Sequence, residues 1–186
     1  MELITAKTLW KDYDPRNIPL DETVLITEYN EKYSVKHVYF NGEATGDGCT
    51  RIYARVYVPA SIPSGETPFD TTYTEMLLDC GYTVLVPDYA GKRTEGRFTI
   101  YPRSLNRADY FTETSGFYSL PDNPKVSCWY VYASVMLRGY VYLENMPSVD
   151  KSRICFMGVR RGAIQVYKAA YVMKEAACAV ALLNSS

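Results

Sequence analysis

Two early stretches of the chain alternate apolar and polar positions in the manner of β-strands. In Thr50–Pro59, apolar side chains on one face alternate with arginine and tyrosine on the other, as a half-buried strand requires. Tyr33–Glu43 has a related pattern, and Asn41-Gly42 and Gly46-Asp47-Gly48 lie between the two. Turn residues between two strand patterns predict an antiparallel hairpin. Residues 1–32 mix charges with prolines, and we expect them to form an extended arm.

After residue 70 the pattern changes to helices that alternate with short apolar runs. Apolar runs of four to six residues are typical of strands buried in a parallel sheet, and they occur at Thr83–Pro87, Arg153–Met157 and Cys178–Leu183. Helices are predicted from about residue 70 to Asp79, over 128–145 with Ser127 as the N-cap, and from the turn at 158–162 to about Lys174. This alternation predicts an α/β fold with a mainly parallel sheet.

Two stretches between these elements are predicted as loops. Residues 61–70 hold two prolines and a glycine, which excludes a central strand there. Residues 89–126 are rich in turn-forming residues, with a short helix predicted near Ser104–Phe111. A loop of this length is more often functional than a simple connection.

Composition narrows the classes of partner. The formal net charge is −1 and hydrophobic residues make up 47%, which is typical of a soluble globular protein. Lysine and arginine are not clustered, so nucleic acid is not an expected partner. No run approaches roughly 18 apolar residues, so a membrane is not expected either. The five cysteines form no C-x-x-C pair, which indicates reduced, core-filling thiols in the cytoplasm. One histidine and scattered cysteines predict neither a metal site nor a cofactor.

The residues around position 160 carry the most specific motif. Gly158-Val159-Arg160-Arg161-Gly162 joins a predicted strand to a predicted helix, which is the Gly-x-nucleophile-x-Gly layout of the nucleophile elbow. Upstream, Gly81–Gly91 has a buried strand that ends at Asp88. With the hairpin, these segments make residues 33–186 resemble the N-terminal portion of α/β-hydrolases of the acetyl xylan esterase and dienelactone hydrolase type.

The resemblance implies an incomplete α/β-hydrolase domain over residues 33–186, behind the arm 1–32. We expect a mainly parallel sheet of about five strands with an N-terminal antiparallel hairpin and flanking helices. In such a domain the strands at 83–87 and 153–157 would pair directly, joined by a right-handed crossover through the 128–145 helix.

Three departures from the family bear on catalysis. Arg160 stands where the family has its serine, and a guanidinium stays protonated and offers no lone pair. Residues 59–75 lack the inner strand and the His-Gly loop that helps to build the oxyanion hole. The triad acid and histidine would follow later strands, beyond residue 186. His37, the only histidine, is interpreted as a structural strand residue. We therefore expect no ester hydrolysis by this chain alone, although the elbow should keep its positive φ at residue 160.

Three hypotheses for function stay open. The first is a degenerate or split hydrolase that self-associates or is completed by a C-terminal hydrolase fragment. The second is a non-catalytic module that binds an anion or small ligand, because two arginines stand at a helix N-terminus. Its ligand cleft would be formed by Asp88, Tyr89, Tyr101, Arg160 and Arg161. The third and weakest uses Cys155 as a nucleophile, but its place in an apolar strand predicts an inert core thiol.

Overall fold

The computed structural model describes residues 5–60, 73–89, 91, 96–108 and 123–182. Strands in this part of the chain are β1 Thr23–Tyr29, β2 Tyr33–Thr45, β3 Gly48–Pro59, β4 Val84–Pro87, β5 Cys155–Val159 and β6 Cys178–Leu182. The α-helices are α1 Ala6–Leu9, α2 Tyr73–Asp79, α3 Cys128–Glu144 and α4 Arg161–Val172. Short 3-10 helices lie at Pro15–Asn17, Arg103–Ala108, Pro124–Val126 and Lys151–Arg153.

The larger sheet is antiparallel, with the strand order β1-β2-β3-β4. β2 and β3 form the predicted hairpin, which closes where Thr45 pairs with Gly48. The register shifts between Asn41 and Ala44, and such a bulge bends a hairpin and increases its twist. The apolar face of β3 is buried as its alternation predicts. Its innermost side chains, with no exposed surface, are Ile52, Ala54 and Val56.

The smaller sheet is a parallel pair of β5 and β6. Their connection is α4, which packs against both strands and against α3. Helix α3 is apolar nearly all round and is buried over most of its length, as predicted. Its N-cap is Ser127, whose hydroxyl accepts a hydrogen bond from the Tyr130 N–H at 3.3 Å.

Helix α3 supplies side chains to the cores of both sheets. Val135 and Tyr142 pack with the buried face of β2 and β3. Leu137 and Tyr140 pack with α4 and β5. Gly139 faces β4, and a Cβ built on it would lie 3.1 Å from a methyl group of Leu85. The two sheets therefore share one helix as a common support.

The prediction of a mainly parallel sheet of about five strands is wrong. Four strands are antiparallel and only β5 and β6 are parallel. The direct pairing predicted between the strands at 83–87 and 153–157 is also wrong for the described residues, because β4 pairs with β3 and β5 with β6. Alternating strands and helices produce a parallel sheet when each crossover returns the next strand to the same sheet in the same direction, whereas β4 joins the edge of the hairpin antiparallel to β3.

The N-terminal segment contributes to the fold. Thr23–Tyr29, inside the predicted arm, is β1 and pairs with β2. The fully buried Arg138 of α3 donates hydrogen bonds to the carbonyls of Pro15 and Pro19 and, at 2.7 Å, to that of Asn41. One side chain thus ties this segment and the β2 bulge to α3. The division into an arm and a hydrolase-like domain at residue 32 stays a prediction.

Some predictions fall outside the described residues. The segment 61–70, where no central strand is expected, is one of them. Most of residues 59–75, where the sequence lacks the family's inner strand and His-Gly loop, also lie outside the described residues. The loop predicted over 89–126 is described only in part, and within it Arg103–Ala108 forms a 3-10 helix where the sequence predicts a short helix.

Candidate functional site

The turn from β5 into α4 has the backbone of a nucleophile elbow. β5 ends at Val159, α4 begins at Arg161, and Arg160 between them has φ 54° and ψ −114°. Positive φ is uncommon for a residue with a side chain and marks a strained backbone. The Arg160 N–H donates to the carbonyl of Leu182 at 2.9 Å, and the Arg160 carbonyl accepts from the Ala163 N–H at 3.0 Å. The positive φ predicted at residue 160 is confirmed.

The two glycines of the elbow have different roles. A Cβ on Gly158 would lie 2.4 Å from the carbonyl carbon and oxygen of Gly162 and 2.8 Å from the Ala163 nitrogen, whereas a Cβ on Gly162 would meet nothing within 4 Å. Gly158 is therefore required for the close approach of strand and helix. Gly162 contributes its backbone to that approach and does not need to be glycine for steric reasons.

The two arginines of the elbow are exposed. The Arg160 side chain makes no capping hydrogen bond to α4, and none of the ion pairs found among the described residues involves it. The first backbone N–H groups of a helix point toward its N-terminus and favour an anion there. Positive charge and N–H groups therefore lie at the same end of α4.

Asp88, Tyr89 and Tyr101 lie close together after β4. The Asp88 carboxylate accepts hydrogen bonds from the backbone N–H groups of Thr99 at 2.8 Å and Gly91 at 3.3 Å. The Tyr101 hydroxyl donates to the Tyr89 carbonyl at 2.8 Å. These bonds fasten the turn after β4 to residues 99–101, so the predicted grouping of these three residues has a structural role.

The hydrogen bonds described for this group run to the backbone around residues 89–101, and those described for the elbow run to β6 and α4. A single cleft that includes Asp88, Tyr89, Tyr101, Arg160 and Arg161 stays a prediction. Another groove, of about 400 Å³, lies between the N-terminal segment and the end of α3. It is lined by Arg16, Ile18, Pro19, Leu20, Val141, Glu144, Asn145 and Lys151, and thus by no residue of the elbow.

His37 has the structural role that the sequence indicates. It lies in β2, and its Nδ1 is 2.6 Å from the hydroxyl of Tyr53 on β3. Its Nε2 lies 3.8 Å from a carboxylate oxygen of Glu28 on β1. These contacts join three neighbouring strands. The imidazole is therefore engaged within the antiparallel sheet.

The prediction of core-filling thiols is wrong for Cys155 and Cys178 of the two apolar runs, which are exposed, as is Cys80, whereas Cys128 is buried. Among the described residues, helices cover one face of the β5–β6 pair, and the Cys155 thiol lies on the other face. Partial burial and a hydrogen bond with Cys178 raise the pKa of Cys155 to about 11. Since the thiolate is the nucleophile, this thiol is not activated.

The sequence did not predict the positions of two chemically distinctive side chains, Cys178 and Lys168. Cys178 stands directly opposite Cys155 in the parallel ladder, and only knowledge of the β5–β6 pairing reveals it. Lys168 of α4 lies half-buried with its Nζ 4.2 Å from the centre of the Trp129 ring. Burial lowers the pKa of Lys168 to about 8. The strand pattern around Cys178 and the helical pattern around Lys168 do not indicate these contacts.

Within the part of the chain that the structure describes, no group of three or more histidine, cysteine, aspartate or glutamate side chains is arranged to hold a metal ion. None of the helices in the same part of the chain has the length and apolar character needed to cross a membrane.

The chain is similar to solved structures of two acetyl xylan esterases. It superposes on acetyl xylan esterase 1 from Thermoanaerobacterium sp. JW/SL YS485 with a TM-score of 0.57 and 16% identity, covering 87% of this chain and 51% of that one. It superposes on an acetyl xylan esterase from Paenibacillus sp. R4 with a TM-score of 0.57 and 19% identity, covering 92% and 54%. No family model matches the sequence, and no curated protein matches it significantly.

These similarities define the class of fold. The chain has an esterase-like fold and spans about half the length of the two esterases. At such low sequence identity the likeness concerns the fold alone, so the activity of those proteins is not carried over to this chain.

Proposed function

We propose that this chain is an esterase-type α/β-hydrolase scaffold that does not hydrolyse carboxylic esters by itself. The observation that carries the proposal is Arg160, which has the positive φ of an elbow nucleophile but a side chain that cannot attack a carbonyl. The elbow backbone is kept while the nucleophile is absent. The surface around the elbow then serves binding or assembly instead of catalysis.

A substitute catalytic pair is not supported by the residues near the elbow. His37, the only histidine of the chain, is engaged with Tyr53 in the antiparallel sheet. The raised pKa of Cys155 keeps its thiol protonated at neutral pH. An activated nucleophile needs a base in hydrogen-bond reach or a lowered pKa, whereas the pKa of Cys155 is raised and His37 contacts Tyr53 and Glu28 instead.

Hydrolysis of p-nitrophenyl acetate tests the proposal. We expect the wild-type chain and Arg160→Ser to give the same rate as buffer, because a serine without a base is not activated. Both proteins should have the same circular dichroism spectrum, which controls for folding. Hydrolysis by the wild-type chain above the buffer rate would contradict the proposal. Hydrolysis that appears in Arg160→Ser and is lost in Arg160→Ala would show that Arg160 is the one loss that prevents catalysis.

An anion is the ligand that the elbow favours most. Arg160 and Arg161 bring two guanidinium groups to the N-terminus of α4, where helix N–H groups also attract negative charge. We expect calorimetry to detect weak binding of phosphate or acetate. Arg160→Ala should reduce it, while Arg153→Ala, at an exposed arginine before β5, should not. Equal heats for all three proteins would remove this function.

A protein partner is the second candidate, because one face of the smaller sheet is exposed and apolar. Val159, Val180 and Leu182 are 37%, 41% and 37% exposed. We propose that a second copy of the chain or a complementing hydrolase fragment covers this face. In sedimentation velocity, the wild-type protein should associate with rising concentration. Val180→Asp should reduce association, and Val24→Asp, at the exposed β1 position, should not. A monomer at all concentrations would exclude self-association.

A further inference from the structure

Two free thiols face each other at the start of the parallel β5–β6 pair. Cys155 and Cys178 are direct partners in the ladder register, and both are exposed. Directly opposed residues of neighbouring strands have their side chains on the same face, with the strands about 4.8 Å apart. The Cys155 thiol donates a hydrogen bond to the carbonyl of Arg153 at 3.7 Å. Neither the elbow nor the proposed function uses this pair.

We propose that Cys155 and Cys178 form a two-thiol modification site that small disulfides, such as oxidised glutathione, convert to a protein disulfide. Disulfides form across Cα separations of about 4.4–6.8 Å, and the spacing of neighbouring strands lies within that range. Both thiols are already on the open face of the sheet, so a small disulfide reaches them without any movement of α4. The inference does not depend on anion binding at the elbow. It applies to the chain with this face uncovered, because a partner that covers Val159, Val180 and Leu182 also covers the two thiols.

The three remaining cysteines differ from this pair. Cys80 is exposed but follows α2, away from the ladder, Cys128 is buried, and Cys49 is half-buried. A metal ion is a poorer occupant than a disulfide, because the described residues provide no third ligand near the two thiols. Structural zinc takes four protein ligands.

The reaction proceeds by two thiol–disulfide exchanges. The Cys178 thiolate attacks one sulfur of the small disulfide; the reagent's S–S bond breaks, a mixed disulfide forms on Cys178 and one small thiolate leaves. Cys155 then loses its proton to solvent and attacks the Cys178 sulfur, and the second small thiolate leaves. The two cysteines together lose two electrons, and the small disulfide gains them as two thiols.

The same disulfide forms whichever thiol attacks first, because Cys155 and Cys178 are direct neighbours in the ladder. Burial and the neighbouring Cys178 raise the pKa of Cys155 to about 11, so attack by Cys155 is slow at neutral pH. The second attack is intramolecular and gains from proximity. Ring closure should therefore become faster as the pH rises toward 11.

The disulfide would fix the N-terminal end of β5, the strand that leads into the elbow. β5 leads from Cys155 to Arg160, whose N–H donates to the carbonyl of Leu182 at the far end of β6. A disulfide at residues 155 and 178 would hold β6 covalently at the opposite end of the ladder. We expect the amide hydrogens of residues 178–182 to exchange more slowly with solvent in the oxidised form.

The test uses the Cys80→Ser chain, so that no lone exposed thiol competes. After treatment with oxidised glutathione, intact mass spectrometry should show a loss of about 2 Da, which corresponds to one disulfide. A tryptic map should contain a peptide that links Cys155 to Cys178, and dithiothreitol should reverse the change. Adding Cys155→Ser should instead leave one stable glutathione adduct on Cys178.

Three results would overturn the proposal. In the first, Cys155 and Cys178 both stay reduced under conditions in which oxidised glutathione fully modifies Cys80 of the wild-type chain. In the second, each cysteine carries its own glutathione adduct and no disulfide forms between them. The third is a disulfide-linked dimer as the main product, which would show that Cys178 reacts between chains. Circular dichroism of each variant controls for folding.

Discussion

The carbonyl group of Gly162 lies 2.4 Å from the point where a Cβ on Gly158 would stand. Non-bonded carbon atoms are in contact at about 3.5–4.0 Å, so β5 and α4 can approach this closely only because residue 158 has no side chain. The distance between strand and helix, and with it the position of Arg160, depends on this one missing methyl group.

We expect Gly158→Ala to destabilise the fold by about 1–3 kcal/mol, because α4 must move away from β5 to admit the methyl group. Gly162→Ala is the matched control. Its Cβ would meet no atom within 4 Å, and alanine is favoured over glycine in a helix by up to about 1 kcal/mol. Urea unfolding followed by circular dichroism measures both. Equal destabilisation by the two variants would show that the close approach is not the cause.

The strained backbone of Arg160 leads to a second prediction. A non-glycine residue at φ 54° and ψ −114° carries a strain of about 1–3 kcal/mol, which glycine relieves. This stabilisation is opposed by the greater conformational entropy of glycine in the unfolded chain, which lowers the free energy of unfolding by about 0.4–1 kcal/mol. Arg160→Gly should therefore stabilise the protein by about 1 kcal/mol in urea unfolding.

Arg161→Gly is the control for that variant. Arg161 is the first residue of α4, so glycine there should lower stability by up to about 1 kcal/mol. If Arg160→Gly also lowered stability, the positive φ at residue 160 would not be a source of strain.

The elbow was predictable because its geometry depends on short-range features. The sequence Gly158–Gly162 between an apolar run and a helical pattern indicates a tight turn, and its resemblance to a nucleophile elbow implies the positive φ at Arg160. The hairpin of β2 and β3 was predictable for the same reason, since alternation and turn residues lie within one short stretch.

The sheet architecture was not predictable because it depends on which distant strands become neighbours. β4 has only four residues, and nothing within them shows that they pair with β3. The exposure of Cys155 depends likewise on which face of β5–β6 the helices cover. The role of Arg138 was not predictable either, because its partner at Asn41 lies 97 residues away in sequence.

Arg138 is the basis of the third prediction. It is fully buried, and three backbone carbonyls of the N-terminal segment and β2 accept its hydrogen bonds. Arg138→Met would leave these carbonyls without a donor, at a total cost of about 3 kcal/mol. Arg138→Lys keeps the charge but lacks the planar fork, so we expect roughly half that loss. Arg153→Met, at an exposed arginine, should change stability by less than about 0.5 kcal/mol. A similar effect of Arg138→Met and Arg153→Met in urea unfolding would contradict the anchoring role.

The last prediction concerns Glu43 of β2, whose carboxylate accepts a hydrogen bond from the Tyr13 hydroxyl at 2.5 Å. Burial raises the pKa of Glu43 above its ordinary value of 4.5, although the hydrogen bond from Tyr13 and the charge of Arg138 oppose the shift. The folded state therefore binds the proton more tightly than the unfolded state does. By linkage, the free energy of unfolding falls as the pH rises from about 4.5 through the folded pKa.

Glu43→Gln should remove this contribution, because a neutral amide does not titrate and still accepts the bond from Tyr13. The stability of wild type relative to Glu43→Gln should therefore decrease between pH 4 and 7, in urea unfolding series at fixed ionic strength. Glu31→Gln, at an exposed turn position, is the matched control and should leave the difference flat. If wild type instead gained stability relative to Glu43→Gln over this range, the fold would favour the charged carboxylate, and Arg138 would outweigh burial.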